Sequence, residues 1–175
     1  KIDHSAYAIS KHFSEMEVWR ASAEGLNTVI VNPGLIIGSG NWKESSGTLF
    51  MEFEKNDYTF SGGTSYVDVR DVAQISIELM EKNIFGERFI LVSESAKYEE
   101  IGNSIRQKLG KSPMKLLPNV VLKVGFYLNL LFGWLFSPLK MANKVNIKSV
   151  TEFNKISNKK IKEKLNYEFI TVEES

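Results

Sequence analysis

Tyr7 and Lys11 stand four residues apart in Tyr7-Ala-Ile-Ser-Lys11, so on a helix both side chains leave one face about one turn apart. A phenol is a poor acid–base catalyst near neutral pH because its ordinary pKa is about 10. Bringing it to about 7 takes about 4 kcal/mol of preferential stabilisation of the phenolate, at about 1.36 kcal/mol per unit. An ammonium ~4 Å away supplies roughly that at an effective dielectric of ~20, but only about 1 kcal/mol in bulk water. The pair is therefore a useful proton-transfer device only inside a closed site. Taken alone, the same spacing also describes an exposed tyrosine and a solvated lysine on a surface helix.

The elements that must position this pair follow from periodicity. Residues 3–24 read as a helix, with Asp3 or Ser5 as cap, an apolar stripe of Ile9, Phe13, Met16 and Ala23, and Gly25 as its end. Asn27-Thr-Val-Ile-Val31 is a β-branched run without alternation, the look of a strand covered on both faces in a parallel sheet. It is expected to stop at Asn32-Pro33-Gly34, since proline cannot donate to a ladder and glycine permits a sharp turn. Ligands of open α/β sheets bind beyond the carboxyl ends of strands, which is where Pro33 falls; a plain strand-ending turn is the alternative.

Downstream, 46–55 is expected as a short helix, with a strand near Tyr58-Thr-Phe60 and a Gly62-Gly63 turn. Ser65–Val69 alternates like a strand end, and 71–82 carries Val72, Ile75, Leu79 and Met80 at helical spacing. A strand over 86–92 and an amphipathic helix over 98–109, closed by Gly110, complete the alternation. This order implies an α/β protein with a mainly parallel sheet. From Pro113 the pattern turns helical with little strand signal, so the boundary is drawn between 1–112 and 113–175.

Composition narrows the class. With 43% hydrophobic and 25% charged residues the chain is an ordinary globular one, and a formal net charge of +1 offers no field for a nucleic-acid backbone. The lack of cysteine excludes disulfides and thiolate chemistry, and two histidines are too few for a His-rich metal site. The sequence opens on Lys1 with no export signal and almost directly with a helix, as expected of a chain cut from a longer one; a cytoplasmic location is expected.

Three segments share order, spacing and residue type with one family: Tyr7-Ala-Ile-Ser-Lys11, Asn32-Pro-Gly-Leu-Ile-Ile-Gly38 and Tyr66-Val-Asp-Val-Arg-Asp-Val-Ala73. They resemble the extended short-chain dehydrogenase/reductases, or NAD(P)-dependent epimerase/dehydratase family. Gly86-Glu-Arg-Phe-Ile-Leu91 and Asn158-Lys-Lys-Ile-Lys-Glu-Lys-Leu165 look like the C-terminal half of that family, leaning toward its dihydroflavonol-reductase-like and hydroxysteroid-dehydrogenase-like members. The resemblance implies the C-terminal part of a Rossmann-type parallel sheet, with interleaved substrate-lobe segments within 1–112 and a small, mainly helical substrate-binding lobe over 113–175.

It also implies roles. Tyr7 would be the general acid/base, and Lys11 would make the phenol more acidic and bond the nicotinamide ribose of NAD or NADP. Pro33, Gly34, Leu35 and Ile36 would sit against the nicotinamide, and Ser46, with Ser45, near the cofactor phosphates. Asp68, Arg70 and Asp71 could line the substrate pocket; alternatively Asp71 caps the helix that follows, with an Arg70 or Asp68 ion pair beside it. Tyr66 could be a pocket wall or core. The glycine-rich pyrophosphate turn and the Ser or Thr that completes the catalytic set are missing from these residues and would lie upstream. The 175 residues by themselves are thus expected neither to hold a dinucleotide tightly nor to turn over.

The expected activity is carbonyl reduction or alcohol oxidation on a small-molecule substrate. A nucleotide-sugar epimerase or dehydratase uses the same pair, and a non-catalytic dinucleotide-binding regulatory protein is the reading from a different class. The resemblance also implies that the helix carrying Tyr7 can pack on its twin in a homodimer; Met16 and Trp19 are compatible with that and equally with packing inside one subunit. The apolar run 120–136, broken by Lys123 and Asn129 and halted by Pro138, is short of the ~20 apolar residues that a span needs. The resemblance implies a lid there, or a core helix; membrane-surface contact or a partner interface, and last a true span, are the alternatives. Ile161 and Leu165 are expected to face inward, with the lysines around them solvated.

Overall fold

The computed structural model describes residues 6–39 and 47–175, which form two compact units. The first is drawn from Lys1–Gly40, Ser65–Ser95 and Lys155–Ser175, and the second from Asn41–Thr64 and Ala96–Asn154. The elements of the first are α1 (Ala6–Ala23), β1 (Val29–Pro33), β2 (Leu35–Ile37), most of β4 (Gly63–Asp68), α3 (Val69–Glu81), β5 (Glu87–Leu91) and α7 (Lys159–Leu165). Those of the second are α2 (Gly47–Lys55), β3 (Tyr58–Thr59), α4 (Tyr98–Lys108), β7 (Lys115–Leu116), α5 (Asn119–Phe132), a 3-10 turn (Ser137–Met141) and α6 (Lys144–Thr151). A further strand, β6 (Glu94–Lys97), completes the sheet order β2–β4–β6.

In the first unit β1 pairs in parallel with β5, Val29 opposite Glu87 through Pro33 opposite Leu91. Phe89 and Leu91, two apart on one face of β5, meet Ile75 and Leu79 of α3 and Ile161 and Leu165 of α7 in the core. Each such side chain, fully buried, contributes about 1.5–3 kcal/mol. The expected helical spacing of Ile75 and Leu79 and the inward turn of Ile161 and Leu165 are both seen. Lys160 and Lys164 hold α7 to β5 by pairing with Glu87 at 3.0 and 2.7 Å. This packing puts 155–175 with the sheet, so the compact units do not divide at the boundary drawn after 112.

The first strand stops where expected, at Pro33, and the chain enters a second strand directly after Gly34. The Gly34 amide donates to the Leu91 carbonyl at 2.9 Å, and a Cβ on Gly34 would collide with the Ser65 carbonyl oxygen. The absence of a side chain lets the chain cross from β5 onto β4, where Leu35 stands opposite Tyr66 and Ile37 opposite Asp68. The strand covered on both faces is β4, with Ser65, Tyr66, Val67 and Asp68 all buried in succession, whereas β1 is half-buried. Gly25, at φ +102°, ends α1 as expected.

The second unit contains a strand the sequence did not suggest. Lys115 and Leu116 pair in parallel with Tyr58 and Thr59. The buried Arg106 fixes the region, donating to the Ser112 carbonyl (2.6 Å), the Asn56 carbonyl (2.7 Å) and the Asp57 carboxylate (2.8 Å). A two-residue pairing carries too little periodicity to read; its cause is this long-range clamp. The run 120–136 is a helix to Phe132, but no residue of α5 is buried, which overturns its reading as a core helix.

Candidate functional site

Tyr7 and Lys11 lie on α1, whose second half is anchored by Glu15. That carboxylate accepts from Arg88 Nη1 (2.6 Å), Trp19 Nε1 (3.2 Å) and Asn32 Nδ2 (3.4 Å), and the Arg88 bond holds it below the usual carboxylate range. Arg88 and Asn32 belong to β5 and β1, so the anchor ties α1 to the parallel pair. Because α1 leads through a short loop into β1, it runs back along that strand. Tyr7, eight residues before Glu15, lies about 12 Å further along the helix axis, toward the carboxyl end of β1. The Lys11 ammonium lies 5.7 Å from the centre of the Tyr7 ring, and Tyr7 is 72% exposed. The two side chains share a face, and the phenol is open to a ligand.

Pro33 is the last residue of β1 and is exposed, at the same end of the strand. Leu35 and Ile36 are half-buried in β2, with their backbones opposite Tyr66 and Val67, so Pro33 is the accessible part of the Pro33–Ile36 stretch. Ser46 and Ser45 lie outside the described residues. Tyr66 is fully buried, a core position rather than a pocket wall in this chain.

Arg70 grips Asp68 with two bonds, Nε to Oδ1 at 2.8 Å and Nη2 to Oδ2 at 2.6 Å, while its guanidinium remains 62% exposed. The cap of α3 is Asp68, not Asp71: Asp68 has extended backbone angles at the strand–helix junction and accepts from the Arg70 amide at 2.7 Å. Chiefly through the Arg70 bond, its pKa falls from 3.8 to about 2. Asp71 sits in the first turn of the helix, buried, where it accepts from the Tyr167 hydroxyl (2.9 Å) and the Ile170 amide (3.0 Å). Burial pushes the Asp71 carboxyl up, and burial followed by the Asp71 bond pushes the Tyr167 phenol up. This staple and the Glu15 anchor escaped the sequence reading. The i,i+4 spacing of Glu15 and Trp19 was visible, but the joins to Arg88 and Tyr167 depend on the fold.

The geometry thus offers a proton-carrying phenol, a cation beside it and an exposed proline edge at the carboxyl end of a parallel strand. The residues present suit the nicotinamide and ribose end of a dinucleotide, and the sequence holds no glycine-rich phosphate turn for its other end.

No family model matches the chain. It is 30% identical over 98 residues to sterol demethylase protein B of Methylococcus capsulatus, an alignment covering 54% of this chain and 30% of that protein. Among solved structures, gox2253 superposes with a TM-score of 0.77 at 22% identity, covering 97% of this chain and 53% of that one. The NAD complex of UDP-glucose 4-epimerase from Thermus thermophilus gives a TM-score of 0.65 at 17% identity, covering 97% of this chain and 51% of that one. The chain thus shares the fold of about half of gox2253 and of this epimerase. The chain spans about half the length of these solved structures.

Proposed function

We propose that this chain is the C-terminal half of an NAD(P)-dependent oxidoreductase that reduces a carbonyl or oxidises an alcohol. The observation that carries the reading is that Tyr7 and Lys11 share one exposed face of α1, with the Lys11 ammonium 5.7 Å from the centre of the phenol ring. The nicotinamide, when bound, supplies or accepts hydride. Tyr7 gives its proton to the carbonyl oxygen in reduction and takes it back from the alcohol in oxidation. Lys11 favours the phenolate electrostatically and donates to the ribose, and Pro33 with its neighbours fixes which ring face is presented. Closing the site multiplies the Lys11 effect, since the attraction between unit charges ~4 Å apart grows from about 1 to about 4 kcal/mol as the effective dielectric falls to ~20. Arg70, exposed beside Asp68, is a candidate contact for a polar substrate group.

An apolar substrate is favoured by the sterol demethylase name of the curated relative, and a nucleotide sugar by the epimerase among the solved structures. A screen of the full-length protein, following NAD(P)H absorbance with hydroxysteroids, simple carbonyls and UDP-sugars, separates the two. Absence of turnover with every class, together with tight dinucleotide binding, would instead identify a regulatory protein. The 175 residues by themselves should bind NADH and NADPH no better than millimolar, because the phosphate turn is lacking from them; micromolar affinity by calorimetry would overturn this. The cytoplasmic location is part of the same reading. So is a homodimer through α1, for which Met16 is exposed, while Trp19 is held within the chain by Glu15.

A further inference from the structure

We infer that α5 and the turn after it form a docking surface for an anionic lipid bilayer. The inward side of α5 is a narrow seam. Leu122, Gly125, Phe126 and Asn129 are half-buried, the Asn129 amide reaches the Ala142 carbonyl at 3.5 Å, and Gly125 lies against the Ala142 methyl. At 100° per residue these positions occupy one side of the helix, and the opposite side carries Val120, Val124, Tyr127, Leu128 and Leu131, all exposed. The apolar surface continues past the helix end with Trp134, 79% exposed, and with Leu135 and Phe136. An apolar face this broad on a protein surface marks a docking site.

Charge decides what docks. Between Glu100 and Glu152 there is no acidic residue, whereas Lys115, Lys123, Lys140 and Lys144 lie in that interval; Lys111 and Lys148, also there, pair with Glu54 and Glu152. Lys123 sits at the margin of the apolar face, and Lys140 and Lys144 are exposed just beyond it. A second copy of this chain would bring the same lysines together and be repelled. A lid over a small apolar ligand has no use for them. An anionic headgroup layer matches both features: the apolar side chains enter the acyl boundary, the lysines stay at the headgroups, and Tyr127 and Trp134 are of the aromatic types that favour that depth. The helix, 14 residues long, is too short to cross a bilayer, and among the described residues no helix is long and apolar enough to do so. It would lie in the interface.

The test is co-sedimentation of the full-length protein with phosphatidylcholine vesicles, with and without about 30% phosphatidylserine. Binding is expected on the mixed vesicles and release in about 0.5 M NaCl. Lys140→Gln with Lys144→Gln should weaken binding about 25-fold, from about 5-fold per lysine near a charged surface. Val124→Glu with Leu131→Glu should weaken it at least about 10-fold with the melting temperature kept, because both side chains point outward. Tryptophan emission should shift to the blue on vesicle addition, and Trp134→Phe should remove most of that shift while leaving sedimentation intact. Failure to sediment, or equal binding by wild type and both double variants, overturns the proposal. So does self-association that Leu131→Glu abolishes in a protein that ignores vesicles, which would make a second copy the occupant.

Discussion

Two tyrosines of this chain stand beside opposite charges, and the contrast separates a phenol that holds the fold together from one that lies open at the surface. Tyr167 is half-buried and donates to the buried carboxylate of Asp71. Loss of solvent and the neighbouring anion both oppose its ionisation, so it is locked as a hydrogen-bond donor. With the Ile170 amide it fastens the C-terminal segment to α3. Tyr7 is open to solvent, has no part in the core, and has an ammonium rather than a carboxylate one turn away. The buried pair holds the fold and the open pair awaits a partner.

The contrast can be broken by mutation. The largest effect on stability is expected from Asp71→Ala, which strips the Tyr167 hydroxyl and the Ile170 amide of their acceptor and should cost about 2–4 kcal/mol in denaturant unfolding of the full-length protein. Tyr167→Phe, which removes one of those two bonds, should cost about 1–2 kcal/mol. If both variants unfold like wild type, the staple is not a support.

Acid sharpens the same comparison. The carboxyl of Asp68 is depressed in the folded state, so its contribution is present above the ordinary carboxylate pKa and is lost as pH falls from about 4 toward about 2. With Arg70 partly exposed that contribution is about 1–2 kcal/mol, and Arg70→Gln should flatten this limb of the pH–stability curve. Asp71, pushed up by burial, acts with the opposite sign: its folded form holds the proton more tightly, so its share of stability declines as pH rises from about 4 through its raised pKa. The smallest effect belongs to Tyr7→Phe, which should change unfolding by no more than about 0.5 kcal/mol because its hydroxyl makes no core contact. A clear loss of stability in Tyr7→Phe would remove the distinction between the two tyrosines.

What was legible in the sequence was periodic or local. Ile75 and Leu79 on α3, and Ile161 and Leu165 on α7, declare their buried faces by spacing alone, and Gly25 declares the end of α1. What was not legible depends on approach between distant residues. Gly34 is a crossing as well as a stop because the Ser65 carbonyl lies against it, and Asp71 is a staple because Tyr167, 96 residues on, arrives beside it. Asp71 was expected as the cap of α3, and only the extended backbone of Asp68 shows that the cap stands three residues earlier. The apolar run of α5 reads as core by hydropathy, since hydropathy reports what a residue prefers and not what is there to cover it. For the candidate site the Tyr7–Lys11 spacing was readable, while its exposure and its anchorage through Glu15 and Arg88 were not.

The acid–base assignment of Tyr7 is tested most directly by steady-state turnover of the full-length protein and its Tyr7→Phe variant on the substrate that the absorbance screen yields. A fall in kcat of about 10²–10⁴-fold is predicted, with the affinity for NAD(P)H and the melting temperature nearly unchanged. Turnover within about 2-fold of wild type would contradict it and remove Tyr7 from the proton transfer.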